Sequence, residues 1–189
     1  MRLPWVSPVG PSSSKLALGG RTGYKARMPR APITDSDREE VAQFIERMWG
    51  STKIMSCGNV YFPHELEGLM ERRDDKLAGL VTWHIHDQGM EVLTVNSVVP
   101  GERIGTSLIL AAIEEARSRG CERVWLTTTN DNMRVIGLHQ RLGFRMVEVR
   151  VGAVDEARKI KPQIPTVGRD GIGIHDEIVL ELQVEPYTA

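Results

Sequence analysis

His139 and Glu91 are the side chains of this chain best suited to move protons, and the loop Pro100–Thr106 is the segment best suited to hold an anion. His139 lies on a helical face with Val135 and Leu142, and an imidazole titrates near neutral pH. The plain alternative is a packed helix histidine. Glu91 shares a strand face with Leu93 and Val95 and is a candidate base, with an exposed strand carboxylate as its plain alternative. Pro100-Gly101-Glu102-Arg103-Ile104-Gly105-Thr106 joins a strand to a helix. Such a loop leaves backbone N–H groups pointing outward where the helix dipole favours an anion, which suits a pyrophosphate. It has neither a phosphate-loop lysine nor three correctly spaced glycines, so a nucleotide-binding fold fits poorly. His84 and His86 alternate on one strand face, but no third metal ligand accompanies them. Asn96 interrupts an apolar strand and marks a bulge there, or a backbone contact at an irregularity.

The elements that must position these groups are legible in order. A short strand runs from Met28 into Ile33. Ser36 with Glu39 reads as a capping box for a helix carrying Val41, Phe44, Ile45 and Met48, which Gly50 stops. After an irregular stretch, strands are expected at 68–73, 76–86 and 90–99, with turns at Asp74-Asp75 and Asp87-Gln88-Gly89. A helix over 105–119 buries Leu108, Ile109, Ala112, Ile113 and Ala116. A strand at 123–129 and a helix over 132–142 follow, the latter closed by Gly143. The last strands are expected at 144–151 and 175–184, separated by an irregular segment containing Lys161-Pro162 and Ile164-Pro165. The fold class is therefore α/β (α+β), a mixed sheet with helices on both faces.

Composition narrows the function classes. A chain of 189 residues with 41% hydrophobic and 26% charged residues is long enough to bury a core unaided. A net charge of −1 gives no bias towards nucleic acid or membrane, and no apolar run reaches the ~20 residues of a membrane helix. The charge is uneven: six basic and no acidic side chains fall in 1–34, leaving 18 basic against 25 acidic in the rest. That acidic body favours a cationic substrate, weakly, by long-range field. Cys57 and Cys121 have no ligand-like neighbours and read as reduced thiols of a cytoplasmic protein. Residues 1–27, rich in Pro, Ser and Gly, read as a disordered or non-native extension; an organelle transit peptide is the alternative, and Met28 an alternative start. Residues 28–189 read as one domain.

Leu126-Thr127-Thr128-Thr129-Asn130-Asp131-Asn132 runs a strand into a polar turn, and the next helix ends Leu138-His139-Gln140-Arg141-Leu142-Gly143-Phe144. With the Pro100–Thr106 loop, this order and spacing resemble the GNAT N-acetyltransferase superfamily, and the resemblance extends over about 28–184. The tail, from Gly152-Ala153-Val154-Asp155 through Arg158 and Lys161-Pro162 to Asp176-Glu177, is similar to one uncharacterised subgroup.

The resemblance implies a mostly antiparallel sheet of about seven strands, splayed between the strands at 90–99 and 123–129. It implies acetyl-CoA as co-substrate, with no metal, its pantetheine arm pairing with backbone near Val95, Ser97 and Val98. The pyrophosphate would rest on Arg103, Ile104, Gly105 and Thr106, with Asn130 and Asn132 near the arm. His139 takes the place of the family's acidic tyrosine as donor to the departing thiolate, and Glu91 would deprotonate the amine. Pro100 and Arg103 depart from the family's loop, and Arg103 stands where glycine's freedom is usual. Trp49, Ser56 and Tyr61, with Arg158 and Lys161, would shape the acceptor pocket. The expected function is transfer of acetyl from acetyl-CoA to a primary amine, in a small molecule or a peptide, by direct attack in a ternary complex. A catalytically silent acyl-CoA sensor or docking module is the alternative, and a homodimer is left open.

Overall fold

The structure, a computed structural model, describes residues 30–187 apart from Gln88, Pro100, Arg169 and Pro186. The N-terminal extension and the first position of the anion loop therefore lie outside the described residues. Nine strands and four α-helices follow one another: β1 (Ala31–Pro32), α1 (Arg38–Trp49), β2 (Ile54–Ser56), β3 (Asn59–Tyr61), β4 (Glu67–Arg73), β5 (Lys76–His86), β6 (Gly89–Ser97), α2 (Ile104–Ser118), β7 (Arg123–Thr129), α3 (Met133–Arg141), β8 (Arg145–Arg150), α4 (Ala153–Ile160) and β9 (Glu177–Gln183). Seven strands form one sheet in the order β1-β4-β5-β6-β7-β9-β8, and β2 pairs with β3 as a separate hairpin. All pairings are antiparallel except β6 with β7.

Three expectations need correction. The capping box lies two residues earlier than Ser36 and belongs to a single 3-10 turn over Asp35–Asp37, where the Asp37 carboxylate accepts the Thr34 N–H at 2.9 Å; α1 then starts from Asp37 without a side-chain cap. Ser36 and Glu39 lose the role because the chain tightens one turn upstream. The irregular stretch after α1 contains the β2–β3 hairpin, turned by Cys57-Gly58, both at positive φ (50° and 81°). That is the conformation a two-residue hairpin demands. The segment before the last strand contains α4, which buries Val154 and Ala157 while Asp155, Glu156 and Lys159 face outward or pair with neighbours.

Helices cover both faces of the sheet. On one, α2 buries Ile104, Leu108, Ile109, Ala112, Ile113 and Ala116 against Met90, Val92, Val124 and Leu126. On the other, Val41, Phe44 and Ile45 of α1 pack on Met70, Leu77 and Leu80, while Met48 is exposed. Gly79 of β5 sets how closely α2 approaches. A Cβ there would lie 2.4 Å from Ile104 Cγ2 and 2.9 Å from Leu108 Cδ1, so only a hydrogen fits. Gly79→Ala is expected to destabilise the protein by about 1–3 kcal/mol through overpacking, measured by denaturant unfolding, and to shift the start of α2 away from β6.

Candidate active site

The parallel pairing of β6 with β7 covers only Gly89–Arg123, Met90–Val124 and Glu91–Trp125. Beyond Glu91 the facing edges of the two strands no longer pair, and the sheet opens into a fork. A register shift in the β5–β6 ladder supplies part of the cause: Thr82 pairs with Thr94 but Trp83 with Val92, so Leu93 is an extra residue. This bulge bends the strand and reverses its alternation. Val95 consequently packs towards the α2 core, whereas Glu91 and Asn96 face α1 and the hairpin. The expected shared face of Glu91, Leu93 and Val95 is thus broken. Asn96 lies three residues past the bulge, where its Oδ1 accepts the Trp49 indole N–H at 3.1 Å.

The Val98 N–H donates to Ala78 O at 3.0 Å, on the β5 side. By strand alternation the backbone groups of Val95 and Ser97 point into the fork. Val98 thus turns its N–H away from the fork, while Val95 and Ser97 turn theirs into it. The start of α2 sits over this end of β6. Gly105 faces Val95 and Ser97, and a Cβ there would meet them at 3.7 and 4.0 Å. Arg103 holds φ 55°, the left-handed conformation that glycine adopts more readily, and its carbonyl accepts the Ser107 N–H at 3.0 Å. The N–H groups of Ile104, Gly105 and Thr106 precede the first intrahelical donor and remain open to an anion. Glu102 ties the loop to Arg73 at 3.1 Å, and Arg73 also reaches buried Glu71 at 2.6 Å.

Glu91 is 3% exposed, covered by the hairpin. Its Oε1 accepts the Ser56 hydroxyl at 2.5 Å, and its Oε2 lies 3.1 Å from both the Tyr61 hydroxyl and His86 Nε2. Ser56 Oγ is 2.9 Å from Thr127 Oγ1 on the β7 side of the fork. Burial, and then the Glu91 charge, push the Tyr61 phenol up to about 12, so it stays protonated and donates. The unbroken polar chain Thr127–Ser56–Glu91–His86 runs from the fork towards the half-exposed imidazole of His86. His84 and His86 meet edge-to-face with ring centroids 4.3 Å apart, and both contact Tyr61, His86 edge-on and His84 at a tilt.

A second carboxylate, Glu177, was not singled out by the sequence. It opens β9, paired with Thr129 on one side and Arg150 on the other, and is 6% exposed. Burial pushes its carboxyl up, against the pull of Arg150 at 3.2 Å. In the sequence it reads as the polar half of an alternating strand, because the hairpin and α4 that cover it are remote in the chain. Glu177, Thr129, Trp49 and Lys161 line a cavity of about 240 Å³ walled by apolar residues such as Ile54 and Ile174. Arg158 holds one wall in place, donating to Ile164 O (3.1 Å), Pro165 O (3.0 Å) and Ile174 O (2.6 Å). It anchors the loop rather than facing a ligand.

The asparagines divide. Asn130 Nδ2 donates to Gly173 O at 2.8 Å, and its Oδ1 accepts the N–H groups of His175 and Asp176 at 3.0 Å each. Its amide is engaged with backbone, pinning the approach to β9. Asn132 caps α3 through its backbone, accepting from Val135 and Ile136 at 3.0 Å, and its side chain makes no capping bond. His139 is 4% exposed, packed edge-on to Phe144 at 5.2 Å. Its Nδ1 lies 2.9 Å from Val135 O, and a carbonyl only accepts, so the proton sits on Nδ1. Nε2 is buried without a partner among the described residues. Burial pushes this imidazole below its usual value, so the expectation of an unperturbed, near-neutral group does not hold.

Comparison with known proteins agrees with this geometry. The acetyltransferase (GNAT) family pattern matches residues 32–144. The uncharacterized protein YxbD of Bacillus subtilis (strain 168) is 32% identical over 155 residues, covering 82% of this chain and 98% of the relative. Among solved structures, a Bacillus subtilis acetyltransferase in complex with CoA superposes with a TM-score of 0.58 at 17% identity, over 84% of this chain and 98% of the other. A GNAT family acetyltransferase from Elizabethkingia anophelis with acetyl-CoA bound gives 0.61 at 16% identity, over 85% and 100%. With a forked sheet, an open helix start beside it and a matching sequence pattern, the chain belongs to the GNAT acetyltransferase family.

Proposed function

We propose that this protein transfers acetyl from acetyl-CoA to a primary amine by direct attack in a ternary complex. The observation that carries the reading is the fork: β6 presents unpaired backbone at Val95 and Ser97 beside the open start of α2, while buried carboxylates lie on the other face. These residues fit an acyl-CoA. The N–H groups of Ile104, Gly105 and Thr106 would hold the pyrophosphate, Val95 and Ser97 would pair with the pantetheine amides, and the Asn132 side chain is free to join them. The bound thioester supplies an activated carbonyl. A backbone N–H at the fork that polarises it contributes roughly 2.7–4 kcal/mol in known oxyanion holes.

Only a neutral amine attacks, so a proton must leave it first. Glu91 accepts that proton through the Thr127 and Ser56 hydroxyls or an intervening water, and His86 carries it on towards solvent. The Tyr61 hydroxyl holds the carboxylate in place. At the leaving end, His139 returns a proton to sulfur through Nε2. Because burial lowers its pKa, the imidazolium that does this is a minority form at neutral pH.

Two measurements test the reading. With acetyl-CoA and a panel of primary amines, release of the CoA thiol is expected from at least one acceptor. Glu91→Gln should lower kcat about 100-fold or more with CoA affinity unchanged. Tight CoA binding without turnover of any amine would instead mark an acyl-CoA sensor, the alternative that Arg103 and His139 allow. For His139, the sign follows from its lowered pKa: the donor form dwindles as pH rises through a value under 6.5. His139→Gln should therefore cost about tenfold in kcat at pH 6 and less at pH 8. An unchanged rate and pH profile in this variant would mean that the thiolate departs unassisted.

A further inference from the structure

Lys161 is 8% exposed, yet no ion pair joins it to a carboxylate among the described residues. Its ammonium donates to Lys53 O at 2.8 Å, and two of its three N–H donors have no assigned protein partner. Burial alone pushes its pKa down, with no neighbouring charge opposing that shift. An isolated buried ammonium is costly, and a counter-charge brought by a ligand would offset that cost. The residue is also held firmly. Its N–H donates to Ala157 O at 2.9 Å, its carbonyl accepts from Ile164 at 3.1 Å, and the Arg158 fork fixes the strand of loop that follows.

The cavity that Lys161 lines supplies the rest of the argument. It contains one cation, Lys161, and one anion, Glu177, among walls formed by Trp49, Ile54, Val154, Ile164, Pro165 and Ile174. Its volume of about 240 Å³ falls below the ~300 Å³ at which ordinary ligand pockets begin. A ligand complementary to it is small, carries both charges and has a modest apolar body. A polyamine would bring a second cation against Lys161. A peptide N-terminus would bring a neutral amide where the counter-charge is needed.

We infer that the acceptor is a small amino acid with a free carboxylate and an apolar side chain, its carboxylate bound by Lys161 and its amine turned towards Glu177 and the fork. This rests on the acetyl-transfer reading of the same site. It also reverses, locally, the preference for a cationic substrate that the acidic body suggests at long range.

The test compares three acceptors of one side chain, such as leucine, leucinamide and isoamylamine, in the thiol-release assay and by calorimetric titration into the CoA-saturated protein. The amino acid should exceed its amide in kcat/KM by about 30-fold or more, as expected for a buried, hydrogen-bonded charge pair. Lys161→Met, close in volume and without a buried charge, should bring that ratio near one, mainly through KM. An amide or amine that matches the amino acid in the wild type overturns the inference, as does a ratio unmoved by Lys161→Met. Calorimetric binding of the amino acid, lost in Lys161→Met but accompanied by no turnover, would uphold the carboxylate site and sink the transfer reading instead. Turnover confined to acceptors without a carboxylate would do the reverse.

Discussion

Three residue pairs join the two halves of the sheet. The N-terminal half, β1-β4-β5-β6, and the C-terminal half, β7-β9-β8, share only the parallel seam from Gly89–Arg123 to Glu91–Trp125. Where the seam stops, each strand keeps its outer partner and leaves its inner edge free. Unpaired backbone is costly when buried, so the free edges can exist only where another chain of amides or water can meet them. The same ending places Glu91 at the closed end of the fork, beneath the hairpin, and leaves the two strands unpaired beyond it. The α2 packing and the site geometry both depend on where this seam ends.

The bulge at Leu93 gives that arrangement its two sides. Without an extra residue, β6 would present Glu91 and Val95 to the same face. With it, Val95 joins the core beneath α2 while Glu91 and Asn96 turn towards the hairpin and α1. One strand thereby presents an apolar side chain to α2 and polar ones to the hairpin and α1. The gap in the β6–β7 ladder and the shift in the β5–β6 ladder act together.

Much of this was legible in the sequence, for reasons that differ by residue. The strands at 76–86 and 123–129, the helix with its Leu108–Ala116 stripe and the fold class emerge from local periodicity, which tertiary packing reinforces. The spacing from Asn132 through His139 to Gly143-Phe144 survives because one helix sets it. What escaped depends on contacts between distant segments. Ser56 and Tyr61 reach Glu91 across 35 and 30 positions, and nothing near Glu91 announces them. Glu177 looks solvated until α4 and the hairpin cover it. Asn130, in a turn rich in polar residues, gives no hint that its amide is taken by backbone some 43 to 46 positions away. The bulge expected at Asn96, a polar residue in an apolar strand, falls three residues earlier, at Leu93, which has no signature of its own.

β8 and β9 are adjacent and antiparallel, so a two-residue turn could have joined them. Instead the chain leaves the sheet for 151–176, forms α4, and returns with the Arg158-pinned loop that walls the cavity. The excursion contributes no strand to the sheet order and meets the fork only from the side, at Thr129 and Asn130. Its length is therefore not set by the register that pairs β8 with β9. A gene duplicate could reshape this cavity wall by rewriting some two dozen codons in one block, without touching the strand order of the sheet.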